Sequence, residues 1–236
     1  MSWVERARHA AASKVLELVH DNYVVGLGSG TTVAYVVDEL SRLLRSRKLN
    51  ISVIPTSYQI ELIAIKNSLS LTDLNQNPSP DLAIDGADQV DPNSLNVIKG
   101  GGAALAREKI VDSSAGKLAI VVDEAKLGRL GVNQPVPVEI LPFGYWSTTR
   151  KISSLGGEAV LRESKGKVGP VVTDNGNLIV DVSFSRIDDP NQLEAKLKAI
   201  PGVVETGFFI EMVDFVYVGK RDGSVEVLER KRKSRR

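Results

Sequence analysis

The stretch Tyr23-Val24-Val25-Gly26-Leu27-Gly28-Ser29-Gly30-Thr31-Thr32-Val33 decides the fold. Its apolar start has the length of a buried strand, and its alternating glycines make a tight turn. From Val33 onward, Val36, Val37, Leu40 and Leu44 recur at helical spacing. The order is strand, glycine loop, helix. Upstream, Ser2 and Glu5 have the spacing of a capping box, and Val4, Ala7, Ala11, Val15 and Leu18 share one helical face. Downstream, Ile51 to Ile54, Asp81 to Ile84 and Leu118 to Val122 are short runs rich in Val, Ile and Leu. Helical patterns at Ser57 to Lys66 and Ala103 to Ser113 separate them. This alternation predicts an α/β fold: a mostly parallel, Rossmann-like sheet with helices on both faces.

The rhythm changes after about Leu130, where Pro135, Pro137 and Pro142 punctuate the chain. Asn175-Gly176 between the β-rich stretches of Val171 to Val182 predicts a hairpin, because both residues tolerate positive φ. Pro190 opens a helix through Leu193, Leu197 and Ile200, Pro201-Gly202 stops it, and Val203 to Ile210 has strand character. Strand, helix, hairpin, helix and strand predict a smaller α+β domain of ferredoxin-like type. Phe215 to Val218 and Val225 to Leu228, joined across Asp222-Gly223, predict a closing hairpin that rejoins the first sheet. The expected division is 1–130 with 208–236 for the catalytic α/β domain and 131–207 for the small one.

Across 236 residues, 30 basic and 29 acidic side chains nearly cancel, so the body of the protein has no global attraction for nucleic acid or a membrane surface. The exception is the basic run Arg230, Lys231, Arg232, Lys233, Arg235 and Arg236, expected to be a solvated tail. Cysteine is absent, which excludes disulfides and thiolate chemistry. The first 18 residues carry charges where a signal peptide would be apolar, and no apolar run reaches the ~18 residues of a membrane span, so a cytoplasmic location is expected.

Three segments carry candidate chemistry. Gly26 to Thr32 offers close backbone approach, N–H groups and hydroxyls at a helix start, a natural place for phosphate. It lacks the third glycine of a dinucleotide fingerprint and the lysine of a P-loop. Asp85-Gly86-Ala87-Asp88 follows a strand end, where open α/β sheets bind ligands. Asp85, Asp88 and Asp91 suit Mg²⁺, while Asp85 and Asp88 equally suit sugar hydroxyls or turn capping. Lys99-Gly100-Gly101-Gly102 precedes a helix on which Glu108 shares a face with Ala104, Leu105 and Val111, a setting that raises basicity. His9 and His20 are too few and too poorly placed for a metal site.

Together, Gly26 to Thr32, Ile84 to Asp88, Lys99 to Lys109, Val121 to Lys126, Val171 to Asn177 and Ile200 to Val204 resemble the A-type ribose-5-phosphate isomerase family, in order and in spacing. The Lys-Gly-Gly-Gly-Ala-Ala-Leu run is the most specific part. The resemblance implies an aldose–ketose isomerase that interconverts D-ribose 5-phosphate and D-ribulose 5-phosphate through a cis-enediolate, in the non-oxidative branch of the pentose phosphate pathway. It implies Glu108 as the proton-shuttling base and Ser29, Gly30, Thr31 and Thr32 as the substrate loop. Asp85, Gly86, Ala87, Asp88, Lys99, Gly100, Gly101, Gly102 and Lys126 match its other substrate-contacting positions. Arg8 falls near a basic position of the family but matches loosely. No metal, no cofactor and a homodimer or homotetramer are implied as well. The rival is a non-catalytic sugar-phosphate sensor.

Overall fold

The computed structural model describes residues 2–132, 134–166 and 168–231. The basic run beyond Lys231 lies outside them. Arg230 does not behave as tail: its Nε donates to the Val213 carbonyl oxygen at 2.6 Å.

Helix α1 (Trp3–Val15) starts at the expected capping box, with Glu5 N donating to Ser2 Oγ at 3.2 Å and Ser2 N to Glu5 Oε2 at 2.6 Å. Next come β1 (Val24–Leu27), α2 (Thr31–Arg47), β2 (Ser52–Pro55), α3 (Tyr58–Lys66), β3 (Leu82–Gly86), β4 (Gln89–Val90), β5 (Val97–Ile98), α4 (Leu105–Ser114) and β6 (Leu118–Asp123). The second part holds β7 (Val136–Ile140), α5 (Tyr145–Ser153), β8 (Gly157–Leu161), β9 (Leu178–Phe184), α6 (Pro190–Lys198) and β10 (Val203–Thr206). The chain then runs through β11 (Phe208–Phe209), β12 (Phe215–Gly219) and β13 (Val225–Glu229).

The main sheet has the order β13-β12-β6-β3-β1-β2, parallel throughout except for β13, which closes the predicted hairpin with β12. On one face Val25 and Leu27 of β1 pack with Ala11, Val15, Val36, Leu40 and Ile60 from α1, α2 and α3. Full burial of each such aliphatic side chain contributes roughly 1.5–3 kcal/mol. The other face is only partly helical. There α4 packs on β3, while Ile120, Val122, Val216 and Val218 meet Val90, Val97 and Phe209. Those last residues belong to a three-stranded antiparallel sheet, β11-β5-β4, that the sequence does not announce.

The smaller sheet has the order β10-β7-β9-β8, and with α5 and α6 it forms the βαββαβ arrangement of a ferredoxin-like unit. Two expectations change here. Asn175-Gly176 sits in a turn closed by the isolated bridge between Val172 and Leu178, with Gly176 alone of the pair at positive φ, and β9 takes its ladders from β7 and β8 instead. Val203 to Ile210 is two strands, not one. Gly207 breaks them because a Cβ there would stand 2.3 Å from the Lys99 carbonyl oxygen, and the halves enter different sheets. The middle sheet consequently has two working faces: Ile98 and Phe208 join the core of the small unit, while Val97 and Phe209 join that of the large one. Among the described residues no helix is long and apolar enough to cross a membrane.

Candidate active site

In the main sheet β1 connects outward to β2 on one side and β3 lies on its other side, so the order of the parallel strands reverses between β1 and β3. A crevice at the carboxyl ends of strands opens at such a point. Into it come the loop after β1, the end of β3, the loop before α4 and the first turn of α4. Gly28 is required by this convergence: a Cβ would sit 1.8 Å from Asp85 Oδ1. Gly30, at φ 92°, turns the chain into α2, whose N-terminus has no side-chain cap. Unsatisfied N–H groups and the helix dipole make that end favourable for an anion. The loop is fixed from below, with Ser29 Oγ 2.8 Å from both Thr56 Oγ1 and Ser57 Oγ and Gly30 N donating to Gln59 Oε1 at 3.0 Å.

Ser29, Gly30, Thr31 and Thr32 line one wall of the resulting cleft, and Gly86, Ala87 and Asp88 line another. Lys99, Gly100, Gly101, Gly102, Glu108 and Lys126 complete it. Asp88 accepts a hydrogen bond from Gly101 N at 2.7 Å, tying two walls together. Asp85 does not line the cleft. It lies fully buried under the floor and accepts from Gly86 N at 2.6 Å and Ser29 N at 3.3 Å. Arg8, matched only loosely in the sequence, does line it: its NH1 donates to Thr31 Oγ1 at 3.2 Å and its Nε pairs with Asp123 Oδ2 at 2.9 Å.

The floor is a buried charge cluster. Lys99 donates to the Gly86 carbonyl oxygen at 2.7 Å, and its Nζ lies 2.9 Å from Asp85 Oδ2 and 3.1 Å from Glu108 Oε2. Burial works against the Lys99 charge, but Asp85, Glu108 and Asp112 outweigh it and raise the pKa, so Lys99 is an ammonium. Glu108 is only 4 % exposed, so it is no member of a solvated triplet with Arg107 and Lys109. Burial and then the Asp85 charge raise its carboxyl from 4.5 to about 7, with Lys99 pulling the other way.

The small unit holds the rim. Arg162 pairs with Asp181 and donates to the carbonyl oxygens of Gly100 at 2.8 Å and Gly101 at 3.1 Å. Arg107 donates to Asn175 Oδ1 and the Asp174 carbonyl oxygen, both at 2.7 Å. Behind that turn, fully buried Glu139 accepts through Oε1 from Thr173, Asn175 and Asn177 at 3.0, 3.0 and 2.8 Å.

The Mg²⁺ alternative loses its third ligand, because Asp91 is engaged in its own turn with Asn93 and Ser94. Among the described residues no group of three or more His, Asp or Glu side chains could hold a metal ion. His9 packs at a tilt against Tyr35 and His20 meets Tyr23 edge-on, both outside the cleft lining.

The model of the family Ribose 5-phosphate isomerase A (phosphoriboisomerase A) matches residues 52–223. The chain belongs to the ribose 5-phosphate isomerase A family. Ribose-5-phosphate isomerase A of Pyrococcus abyssi is 44% identical over 229 residues, covering 96% of this chain and 99% of the relative. That of Thermosynechococcus vestitus is 47% identical, covering 96% and 97%. Among solved structures, ribose 5-phosphate isomerase A from Methanocaldococcus jannaschii superimposes with a TM-score of 0.92 at 42% identity, covering 96% of this chain and 99% of that one. A D-ribose-5-phosphate isomerase in complex with phospho-erythronic acid gives 0.93 at 44% identity, with the same coverage. As a ribose 5-phosphate isomerase A family member the chain is an isomerase, and the cleft residues from Gly86 to Lys126 fall within the matched 52–223.

Proposed function

We propose that the chain interconverts D-ribose 5-phosphate and D-ribulose 5-phosphate with Glu108 as the base. The observation that carries this reading is a carboxyl at the cleft floor, raised to about 7 by burial and in contact with an obligate ammonium. A base poised near neutral pH is the most effective one for carbon acids at that pH. A relative solved with phospho-erythronic acid, a phosphorylated sugar acid, supports a sugar phosphate as ligand.

The phosphate is held at the uncapped start of α2, with Arg8 and Lys126 as flanking cations. Asp88, which reaches the cleft where Asp85 does not, assists opening of the furanose by taking the O1 hydroxyl proton as C1=O1 forms and the bond from C1 to the ring oxygen breaks, and a solvent water supplies the proton to the departing ring oxygen. Glu108 then removes the C2 proton. The bonding pair enters C1=C2, the C1 carbonyl oxygen becomes an oxyanion facing Lys99, and a proton passes from O2 to O1 across the cis-enediolate. Return of the Glu108 proton to C1 leaves the carbonyl at C2. Phosphate binding remote from C1 and C2 orients them against Glu108. In the cell this is a step of the non-oxidative pentose phosphate branch, in the cytoplasm.

Self-association is part of the same reading. Leu62 and Ile65 on α3 are 66% and 53% exposed, Phe143 and Trp146 93% and 68%, an unusual display for a lone chain. Sedimentation is expected to give a dimer or tetramer, and a monomer at micromolar concentration would refute it.

The function itself is tested by ketose formation from ribose 5-phosphate in EDTA. Glu108→Gln is expected to lower kcat by roughly 10²- to 10⁴-fold while binding of a phosphorylated sugar acid persists. Wild-type turnover in the variant would remove Glu108 from its role. Wild-type protein that binds the sugar phosphate without turning it over would make the chain a sensor.

A further inference from the structure

A buried carboxyl beside the floor cluster has no part in the catalytic scheme. Asp112 lies one helical turn beyond Glu108 on α4, is 3 % exposed and does not line the cleft. Neither of its carboxyl oxygens receives a hydrogen bond. Lys99, the cation of the cluster, is already committed to Asp85, Glu108 and the Gly86 carbonyl oxygen. Three buried carboxyls therefore share a single ammonium. Full ionisation would leave the cluster at a net charge of −2 with one anion wholly unsolvated, the arrangement a protein interior tolerates least. The carboxyls cannot all be charged, and Asp112 is the one that no hydrogen bond holds as an anion.

The groups facing Asp112 are Asp85 from β3, Lys99 from the loop before α4, and Glu108 on its own helix. Asp85 is within side-chain hydrogen-bonding reach, and its Oδ2 has no well-aligned donor. We propose that Asp112 is a positioning residue: an uncharged carboxylic acid that donates its proton to Asp85 and so fixes the carboxylate on which Lys99, Ser29 and Gly86 are built. Burial first, and then the Asp85 and Glu108 charges against the pull of Lys99, push the Asp112 carboxyl well above the ordinary range. Asp112 touches no substrate. By staying neutral it spares Glu108 a further negative neighbour. This inference rests on the isomerase reading above.

The test compares wild type, Asp112→Asn and Asp112→Leu on ribose 5-phosphate. The amide keeps the shape and an N–H donor without charge, so it is expected to retain kcat within about threefold and leave the acid limb of kcat/KM in place. Leucine removes the donor, and kcat is expected to fall roughly 10- to 100-fold with KM little changed, the equivalent of losing one hydrogen bond to a charged acceptor. An acid limb that moves to lower pH in Asp112→Asn would show that wild-type Asp112 is charged and overturn the inference. So would an Asp112→Leu enzyme with wild-type kcat.

A measurement on the wild type alone is independent of turnover and of how the variants fold. In protein labelled with ¹³C only at aspartate carboxyls, one carboxyl is expected to remain protonated at pH 8. A spectrum in which every aspartate is ionised would refute the proposal. Absence of wild-type isomerase activity would count against the functional reading and leave this measurement standing.

Discussion

At the residue scale, Glu108 is tuned by opposition. Burial and Asp85 favour its neutral form, Lys99 favours the anion, and the carboxyl rises from 4.5 to about 7. As the proposed base it must be ionised, so kcat/KM is expected to fall below an apparent pKa near 7, and a profile flat down to pH 5 would exclude it. The same shift has a stability consequence of defined sign. Between pH 4.5 and 7 the folded chain holds a proton that the unfolded chain releases, so the Glu108 contribution declines as pH rises through that window, by on the order of 3 kcal/mol. Glu108→Gln does not titrate, and urea unfolding at pH 5 and pH 8 is expected to show it gaining on wild type at the higher pH. The burial of Glu108 was partly legible, because Ala104, Leu105 and Val111 share its helical face, while its expected role as base came from the family resemblance. Asp112 was not legible, since Val-Asp-Ser-Ser at a helix end has the composition of ordinary solvent-facing sequence. Its burial depends on β3 and Lys99, which are distant in sequence. Arg8 was obscured in the same way: an N-terminal helix carrying Arg6 and Arg8 does not say which one reaches Thr31.

At the element scale, the strand–glycine–helix unit does two jobs, exposing the start of α2 and letting Asp85 pass beneath the loop. Gly28→Ala tests the second. Its Cβ would lie 1.8 Å from Asp85 Oδ1, so the loop or the carboxylate must move. The expected cost is ~1–3 kcal/mol of stability together with a loss of activity, and thermal unfolding alongside kcat measures both. A wild-type value for each would show that the loop yields freely. The principal strands and helices were readable because each carries its own periodicity or cap, as Ser57 does for α3 by accepting from Ile60 N at 3.3 Å. The two-residue strands β4, β5 and β11 carry no such signal. Phe208 and Phe209 look like the continuation of β10, and only the close approach of Gly207 to Lys99 and Pro137 redirects them.

At the scale of the molecule, we propose that residues 1–130 with 208–236 and residues 131–207 act as two domains, the second serving as a brace for the glycine loop of the first. Arg162 is the strut, joining Asp181 to the Gly100 and Gly101 carbonyl oxygens. Arg162→Met is expected to reduce kcat/KM by about 10-fold, the scale of a lost charged hydrogen bond. Hydrogen exchange should speed up in residues 99–102 and not in β1. Unchanged exchange in that loop would refute the brace. The turn Thr173 to Asn177 is held differently. It hangs by three side chains from a single oxygen of Glu139, is gripped outside by Arg107 and reaches α3 through Asp174, which accepts from Tyr58 N at 2.9 Å. The conformational freedom of this stretch is therefore surrendered when the chain folds, not when a ligand arrives. On the proposed function, a sugar phosphate entering the cleft would meet a rim already in place beside α4, with its ordering cost met before encounter.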